Sequence, residues 1–109
     1  MALTTKENLV LGQFKAAVAQ SLGNRLIEMK LFGSKARGDD RPDSDIDALV
    51  IVADDDWRLC DTVYDIATDL SLQTDIFISP KVISKGRLEE LQKEDTSFSR
   101  NISRDAIAV

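Results

Sequence analysis

The first part of the chain carries apolar side chains at helical spacing. Four of them recur every third or fourth position and share one helix face: Leu11, Phe14, Val18 and Leu22. Thr4 and Glu7 have the spacing of a capping box, in which each side chain bonds the backbone N–H of the other residue. Gly23 follows, where helices commonly stop. The pattern predicts a helix over residues 5–21.

Three later segments are typical of strands. Over 25–32, apolar and charged residues alternate, which indicates a strand with one better-buried face. Residues 46–52 end in an uninterrupted apolar run and predict a strongly buried strand. Alternation also predicts a third strand over 74–79, which contains Asp75 and is closed by Pro80.

The remaining segments predict helices. An acidic run at 54–56 offers N-cap residues for a helix that continues to about Leu70. Apolar spacing indicates two shorter helices over 84–94 and 98–104. The resulting order of elements predicts an α/β fold in which a small mixed sheet carries helices on one face. We expect residues 1–109 to form a single domain.

Composition narrows the function classes. The chain has 14 basic and 19 acidic residues and a net charge of -5, which excludes a uniformly basic surface for nucleic acid. Histidine is absent, so no imidazole can serve as a base or metal ligand. The lone Cys60 fits a reducing compartment. Because the sequence shows neither a targeting signal nor a long apolar run, we expect a cytoplasmic protein that does not bind membranes.

Two aspartates stand at the start of the buried strand. Asp45 and Asp47 are two residues apart, so their side chains point to the same face. Carboxylates placed so close together repel each other and are costly to desolvate, and a divalent cation would offset that cost. Asp75 would join them if the predicted strands were neighbours in register. Two Mg²⁺ ions held by three aspartates would activate an attacking hydroxyl and stabilise a pyrophosphate leaving group.

The turn before this strand offers a complementary phosphate site. Gly33 lets the backbone approach a ligand, and consecutive N–H groups with the Ser34 hydroxyl can cradle phosphate oxygens. Lys35, Arg37 and Arg41 give a local positive field that suits a triphosphate. We therefore take Lys35 and Arg37 as candidate nucleotide-binding residues, together with the turn itself.

The combined motif resembles a known enzyme signature. Gly33 and Ser34, followed after a short loop by Asp45 and Asp47, resemble the signature of the DNA polymerase beta-like nucleotidyltransferase superfamily. The tight form Gly-Ser-Lys-Ala-Arg-Gly followed by Ser-Asp-Ile-Asp is similar to its minimal nucleotidyltransferase branch. The resemblance implies a nucleoside triphosphate such as ATP, Mg²⁺, and transfer of a nucleotidyl group to an acceptor hydroxyl. Many members of that branch are antitoxins that AMPylate a tyrosine of a HEPN-type ribonuclease toxin.

The resemblance also implies roles for individual residues. Asp45 and Asp47 would bind both metal ions, and Asp75 would be a metal ligand and general base. Gly33 and Ser34 would hold the terminal phosphates. Because a chain this small must borrow its acceptor site, the resemblance predicts a hetero-oligomer with the toxin.

Other interpretations remain open at this point. The chain could be a non-catalytic binding module of the same fold, or a nucleotidyltransferase that modifies a small molecule. Asp75 could be a solvated acid at a strand edge, and the cluster of basic residues could simply pair with neighbouring acids. Trp57 is interpreted as a core or interface residue, and the acidic repeat along the same helix as a solvated face.

Overall fold

The computed structural model describes residues 3–38 and 45–109, so the candidate Arg41 lies outside the described residues. The elements, in chain order, are α1 (Thr5–Leu22), β1 (Leu26–Phe32), α2 (Gly33–Arg37), β2 (Ile46–Val52), α3 (Trp57–Thr74), β3 (Ile78–Ser84), α4 (Lys85–Lys93), α5 (Ser97–Asp105) and β4 (Ile107–Ala108). None of the helices in this part of the chain is long and apolar enough to cross a membrane.

The four strands form one mixed sheet in the order β3, β2, β1, β4. β1 is antiparallel to both β2 and β4, whereas β2 and β3 are parallel. In this register Phe32 lies opposite Asp47, and Asp47 lies opposite Ser79. The end of β1 and the beginning of β2 therefore meet at the same edge of the sheet.

The central strand β2 is buried on both of its faces. Its even-numbered residues belong to the main core, which α1 and α3 cover: Ile46, Ala48, Val50 and Val52. Leu49 and Ile51 point the other way and pack in a second, smaller cluster with Ile102 of α5. The mixed α/β sheet is thus confirmed. The prediction that helices cover one face is incomplete. Both the odd- and the even-numbered residues of this apolar run are buried, so both faces of the sheet need to be covered.

The N-terminal helix begins as its sequence indicates. The Glu7 backbone N–H donates to Thr4 Oγ1 over 3.1 Å, and the Thr4 N–H donates to Glu7 Oε1 over 3.0 Å. This reciprocal pair is the predicted capping box. Phe14, fully buried on the same helix, anchors α1 on the sheet.

The third strand does not lie where the alternation predicted it. Helix α3 continues to Thr74, and Asp75 ends it in the left-handed conformation with φ 59°. The Ile78 N–H donates to Ser71 Oγ over 3.2 Å, which ties the helix end to the strand that follows. Pro80 lies inside β3 instead of closing it. β3 is an edge strand, and an open edge tolerates a residue that has no N–H.

Candidate active site

The candidate site lies where the turn after β1 meets the start of β2. Gly33 has φ 72° and is covered directly by the Asp47 side chain. A Cβ atom at position 33 would overlap the Asp47 carboxylate, so only glycine fits this contact. The structure therefore brings together the glycine of the predicted phosphate-binding turn and one of the predicted acids, while Ser34 is the next residue of α2.

The two acids at this edge lie in different environments. Asp45 is exposed just before β2, whereas Asp47 is partly buried within it. Burial raises the pKa of Asp47, the negative charge of Asp45 raises it further, and the positive charge of Arg37 opposes both. The predicted pairing of Asp45 with Asp47 is thus a repulsive, partly desolvated pair, which is the kind of site that a cation stabilises.

Asp75 occupies a different position. It is exposed at the C-cap of α3, ahead of β3, and the residue that lies opposite Asp47 on β3 is Ser79. Within 3–38 and 45–109, no three acidic or cysteine side chains form a group that could hold a metal ion. The extension of α3 explains this, because it places Asp75 in a helix cap and not in the strand. Its role as a third ligand and general base stays a prediction.

Lys35 points away from the sheet edge and towards α1. Its side chain is 1% exposed, and its Nζ lies 2.7 Å from Glu7 Oε2, so the two form a buried ion pair. Burial raises the pKa of Glu7, but hydrogen bonds from Lys35 and from Thr4 outweigh that effect and the net pKa is lowered. This placement favours a role for Lys35 in supporting the turn over direct nucleotide binding, which stays untested.

Arg37 lies at the end of α2 beside a hollow formed with α5. Its Nη1 lies 3.9 Å from Asp105 Oδ2. The hollow measures about 170 Å³ and is lined by Phe32, Gly33, Arg37, Phe98, Asn101, Ile102 and Asp105. The sequence pattern predicts a helix in this region but gives it no role at the site. The helical spacing of Phe98 and Ile102 was the available signal that α5 packs on the sheet.

Comparison with known proteins identifies the family. A sequence model described as polymerase beta, nucleotidyltransferase matches residues 20–109, which include every candidate site residue. The chain belongs to this family. It is therefore a nucleotidyltransferase, and the edge formed by Gly33, Asp45 and Asp47 is its candidate active site.

Two similar proteins come from Methanocaldococcus jannaschii. The chain is 39% identical over 98 residues to the proposed protein adenylyltransferase MJ0604, covering 88% of this chain and 90% of that protein. It is 35% identical over 77 residues to a second proposed protein adenylyltransferase, MJ0141, covering 70% of this chain and 78% of the relative.

Solved structures share the fold. A structure described as a minimal nucleotidyltransferase aligns over 100% of both chains with a TM-score of 0.57 and 21% identity. A toxin–antitoxin structure with AMP-PNP aligns over 88% of this chain and 69% of the other, with a TM-score of 0.55 and 20% identity. These similarities establish the nucleotidyltransferase fold.

Replacing Gly33 tests its contact with Asp47. Gly33→Ala should destabilise the protein by about 1–3 kcal/mol, because alanine is strained at positive φ and its Cβ displaces the carboxylate. Gly23→Ala is the matched control, since Gly23 has φ 57° but open space around it. Both variants should lose thermal stability, but Gly33→Ala should lose more, because only at position 33 does the added Cβ meet a side chain. Equal losses of stability in the two variants would contradict this contact.

Replacing Lys35 tests the buried ion pair. Lys35→Met should cost about 3 kcal/mol in chemical unfolding, because it leaves the Glu7 carboxylate buried without its cation. The double variant Glu7→Gln/Lys35→Met should recover part of that loss. Folding lowers the pKa of Glu7, so the ionised carboxylate stabilises the fold at pH values above the Glu7 pKa of the unfolded chain. This stabilisation is lost as the pH falls through the Glu7 pKa of the folded protein. A Lys35→Met variant as stable as the parent would contradict the pair.

Proposed function

We propose that this nucleotidyltransferase transfers AMP from ATP to a tyrosine hydroxyl of a HEPN-type toxin and thereby acts as its antitoxin. The observation that carries the proposal is the close approach of Gly33 to Asp47, with Asp45 beside them, at one edge of the sheet. The two M. jannaschii relatives named as proposed protein adenylyltransferases support a protein acceptor. The toxin–antitoxin structure with AMP-PNP supports an adenine nucleotide and a toxin partner.

The donor set at this edge fits a divalent cation. Asp45 and Asp47 supply hard carboxylate oxygens, and the raised pKa of Asp47 reflects burial and mutual repulsion that a cation would relieve. These two residues would hold two Mg²⁺ ions, and Asp75 is the proposed third metal ligand. Bound Mg²⁺ neutralises phosphate charge and stabilises the leaving pyrophosphate.

The remaining residues of the site bind and orient the nucleotide. Backbone N–H groups at Gly33 and Ser34 would receive the terminal phosphates, and the positive charge of Arg37 would favour them. In the reaction, the acceptor oxygen bonds to the α-phosphorus while the bond from that phosphorus to the pyrophosphate oxygen breaks. The hydroxyl proton passes to a base, for which Asp75 is the candidate.

One observation favours a second candidate function. Because Asp75 lies at the cap of α3 and outside the pair of acids, the chain could neutralise a toxin by binding alone. A non-catalytic module of the same fold would need no third acid. The two functions differ in whether label transfer and neutralisation depend on Asp47.

Label transfer tests the proposed reaction. ATP labelled on the α-phosphate, Mg²⁺ and a purified HEPN-type toxin as the proposed acceptor should give a labelled acceptor, and a chelator should abolish the label. Asp47→Asn should lower the rate at least about a hundredfold, as expected when a group that organises transition-state charge is lost. Glu89→Gln, an exposed acid on α4, is the matched control and should label like the parent.

The outcomes separate the two functions. Label that moves equally well with Asp47→Asn would exclude the enzymatic role of this site. Neutralisation of the toxin by Asp47→Asn without label transfer would favour the binding module. Asp75→Asn should lower the labelling rate if Asp75 is the base, and a parent-like rate would remove Asp75 from the mechanism.

The stability of the metal-free protein gives an independent test of the acidic pair. Because the pKa of Asp47 is raised on folding, its ionisation costs stability as the pH rises through that pKa. Asp47→Asn should therefore raise Tm at neutral pH by roughly 2–5 °C. The difference should vanish in acid, where Asp47 is protonated. Mg²⁺ with ATP should stabilise the parent more than the variant, and a variant less stable than the parent without metal would contradict the repulsion.

A further inference from the structure

Helix α3 has a second face that the fold does not use. Its buried side carries Leu59, Val63, Ala67 and Ser71 against the sheet. On the opposite side, five exposed residues follow one another at intervals of three or four positions: Trp57, Asp61, Tyr64, Thr68 and Leu72. We refer to these five residues as the α3 strip.

The α3 strip exposes large apolar side chains. Trp57 is 71% exposed, Tyr64 47% and Leu72 75%. Single exposed apolar residues are ordinary on protein surfaces, but here three lie along one side of a single helix, with Asp61 and Thr68 between them. No described element covers it. Aromatic residues arranged in this way are the usual anchors of a protein–protein contact.

The charge around the strip indicates the kind of partner. Asp61 lies within the strip, and the exposed acids Asp65 and Asp69 lie beside it. Arg58 is occupied at the helix start, where its Nη2 lies 3.0 Å from Asp56 Oδ2. A second copy of this chain would bring two acidic strips together, which like-charge repulsion disfavours. The strip is complementary to a basic partner.

A hollow beside Trp57 supports the same conclusion. It measures about 230 Å³ and its lining includes Asp55, Trp57, Cys60 and Val82. Within the described part of the chain, the neighbouring acids Asp54 and Asp56 are paired with Arg25, whereas Asp55 has no ion pair. An acid beside an exposed indole suits a lysine or arginine side chain, because the cation gains both a carboxylate and the face of the ring.

The strip also connects the hollow to the active-site edge. Because β2 and β3 are parallel, α3 runs back from the end of β2 to the start of β3. Its 18 residues span about 27 Å. Trp57 therefore lies at one end of the sheet, and Leu72 lies towards the end at which Asp45 and Asp47 are found. The helix covers the face of the even-numbered β2 residues, whereas Asp47 shares the opposite face with Leu49 and Ile51. A helix seated along the strip would reach that end of the sheet.

We propose that the α3 strip and the hollow beside Trp57 dock an amphipathic, basic helix of the protein that accepts the nucleotide. Its apolar residues cover Trp57, Tyr64 and Leu72, and its lysine or arginine side chains face Asp61, Asp65 and the hollow. The proposal rests on the proposed function for the identity of the acceptor. Docking here would hold the acceptor on this chain while another part of the acceptor reaches the face on which Asp47 lies.

Affinity measurements with strip variants test this surface. The probe is the purified HEPN-type acceptor, and its binding is measured by biolayer interferometry at low and at raised ionic strength. Trp57→Ser/Tyr64→Ser should weaken binding at least about tenfold, because it removes two aromatic anchors. Asp61→Asn/Asp65→Asn should weaken binding at low ionic strength and reduce its salt dependence. Leu9→Ser, on α1 and 65% exposed, is the matched control and should bind like the parent.

The outcomes distinguish this surface from the proposed reaction. Parent-like affinity of the folded Trp57→Ser/Tyr64→Ser variant, or no binding by the parent, would overturn the docking surface. A parent that elutes as a dimer and becomes monomeric in that variant would assign the strip to a second copy and would also overturn it. Circular dichroism and ATP titration establish that the variants are folded. If the parent binds the acceptor without labelling it while the strip variant loses binding, the proposed function fails and the surface stands.

Discussion

The carboxylate of Asp47 lies directly over the backbone of Gly33, and the rest of the site follows from that contact. The register that sets Phe32 opposite Asp47 brings the turn after β1 onto the start of β2. The contact requires glycine, and it places a partly buried carboxylate beside a second one. Without a cation this arrangement costs stability, because burial and repulsion both disfavour the ionised form of Asp47. A binding edge of this kind is consistent with a nucleotidyltransferase, in which the cost is relieved by the ligand.

The buried pair of Lys35 and Glu7 supports this edge from the other side of the sheet. Glu7 caps the start of α1 and at the same time accepts the ammonium group of Lys35 from α2. One carboxylate therefore fixes both the first turn of α1 and the short helix that carries the phosphate-binding turn. Loss of Lys35 leaves the Glu7 carboxylate largely buried without this cation, so the two elements are coupled. Lys35 forms an ion pair with Glu7, whereas the positive charge of Arg37 acts on the Asp47 carboxylate.

Helix α3 contributes both to the main core and to the proposed docking surface. Its inner residues build the main core with α1, and its outer residues form the acidic and aromatic α3 strip. The helix joins the two parallel strands and ends at Asp75, ahead of β3. An acceptor bound along its outer side would extend to the end of the sheet at which Asp45 and Asp47 lie, and a further part of it would have to reach the face that carries Asp47. The same helix length that makes this possible also removes Asp75 from the strand in which the sequence pattern had placed it.

Local patterns in the sequence determined those features that depend on neighbouring residues. The capping box of α1 and the buried strand β2 both follow from spacing alone. Tertiary structure decided the rest. Alternation over 74–79 could not show that α3 would continue through Thr74, because strand pairing with β2 sets where β3 begins. Nor could it show that Lys35 would meet Glu7, since that contact depends on how α1 packs against α2. β4 is too short to have a period, and it exists because the open edge of β1 accepts it.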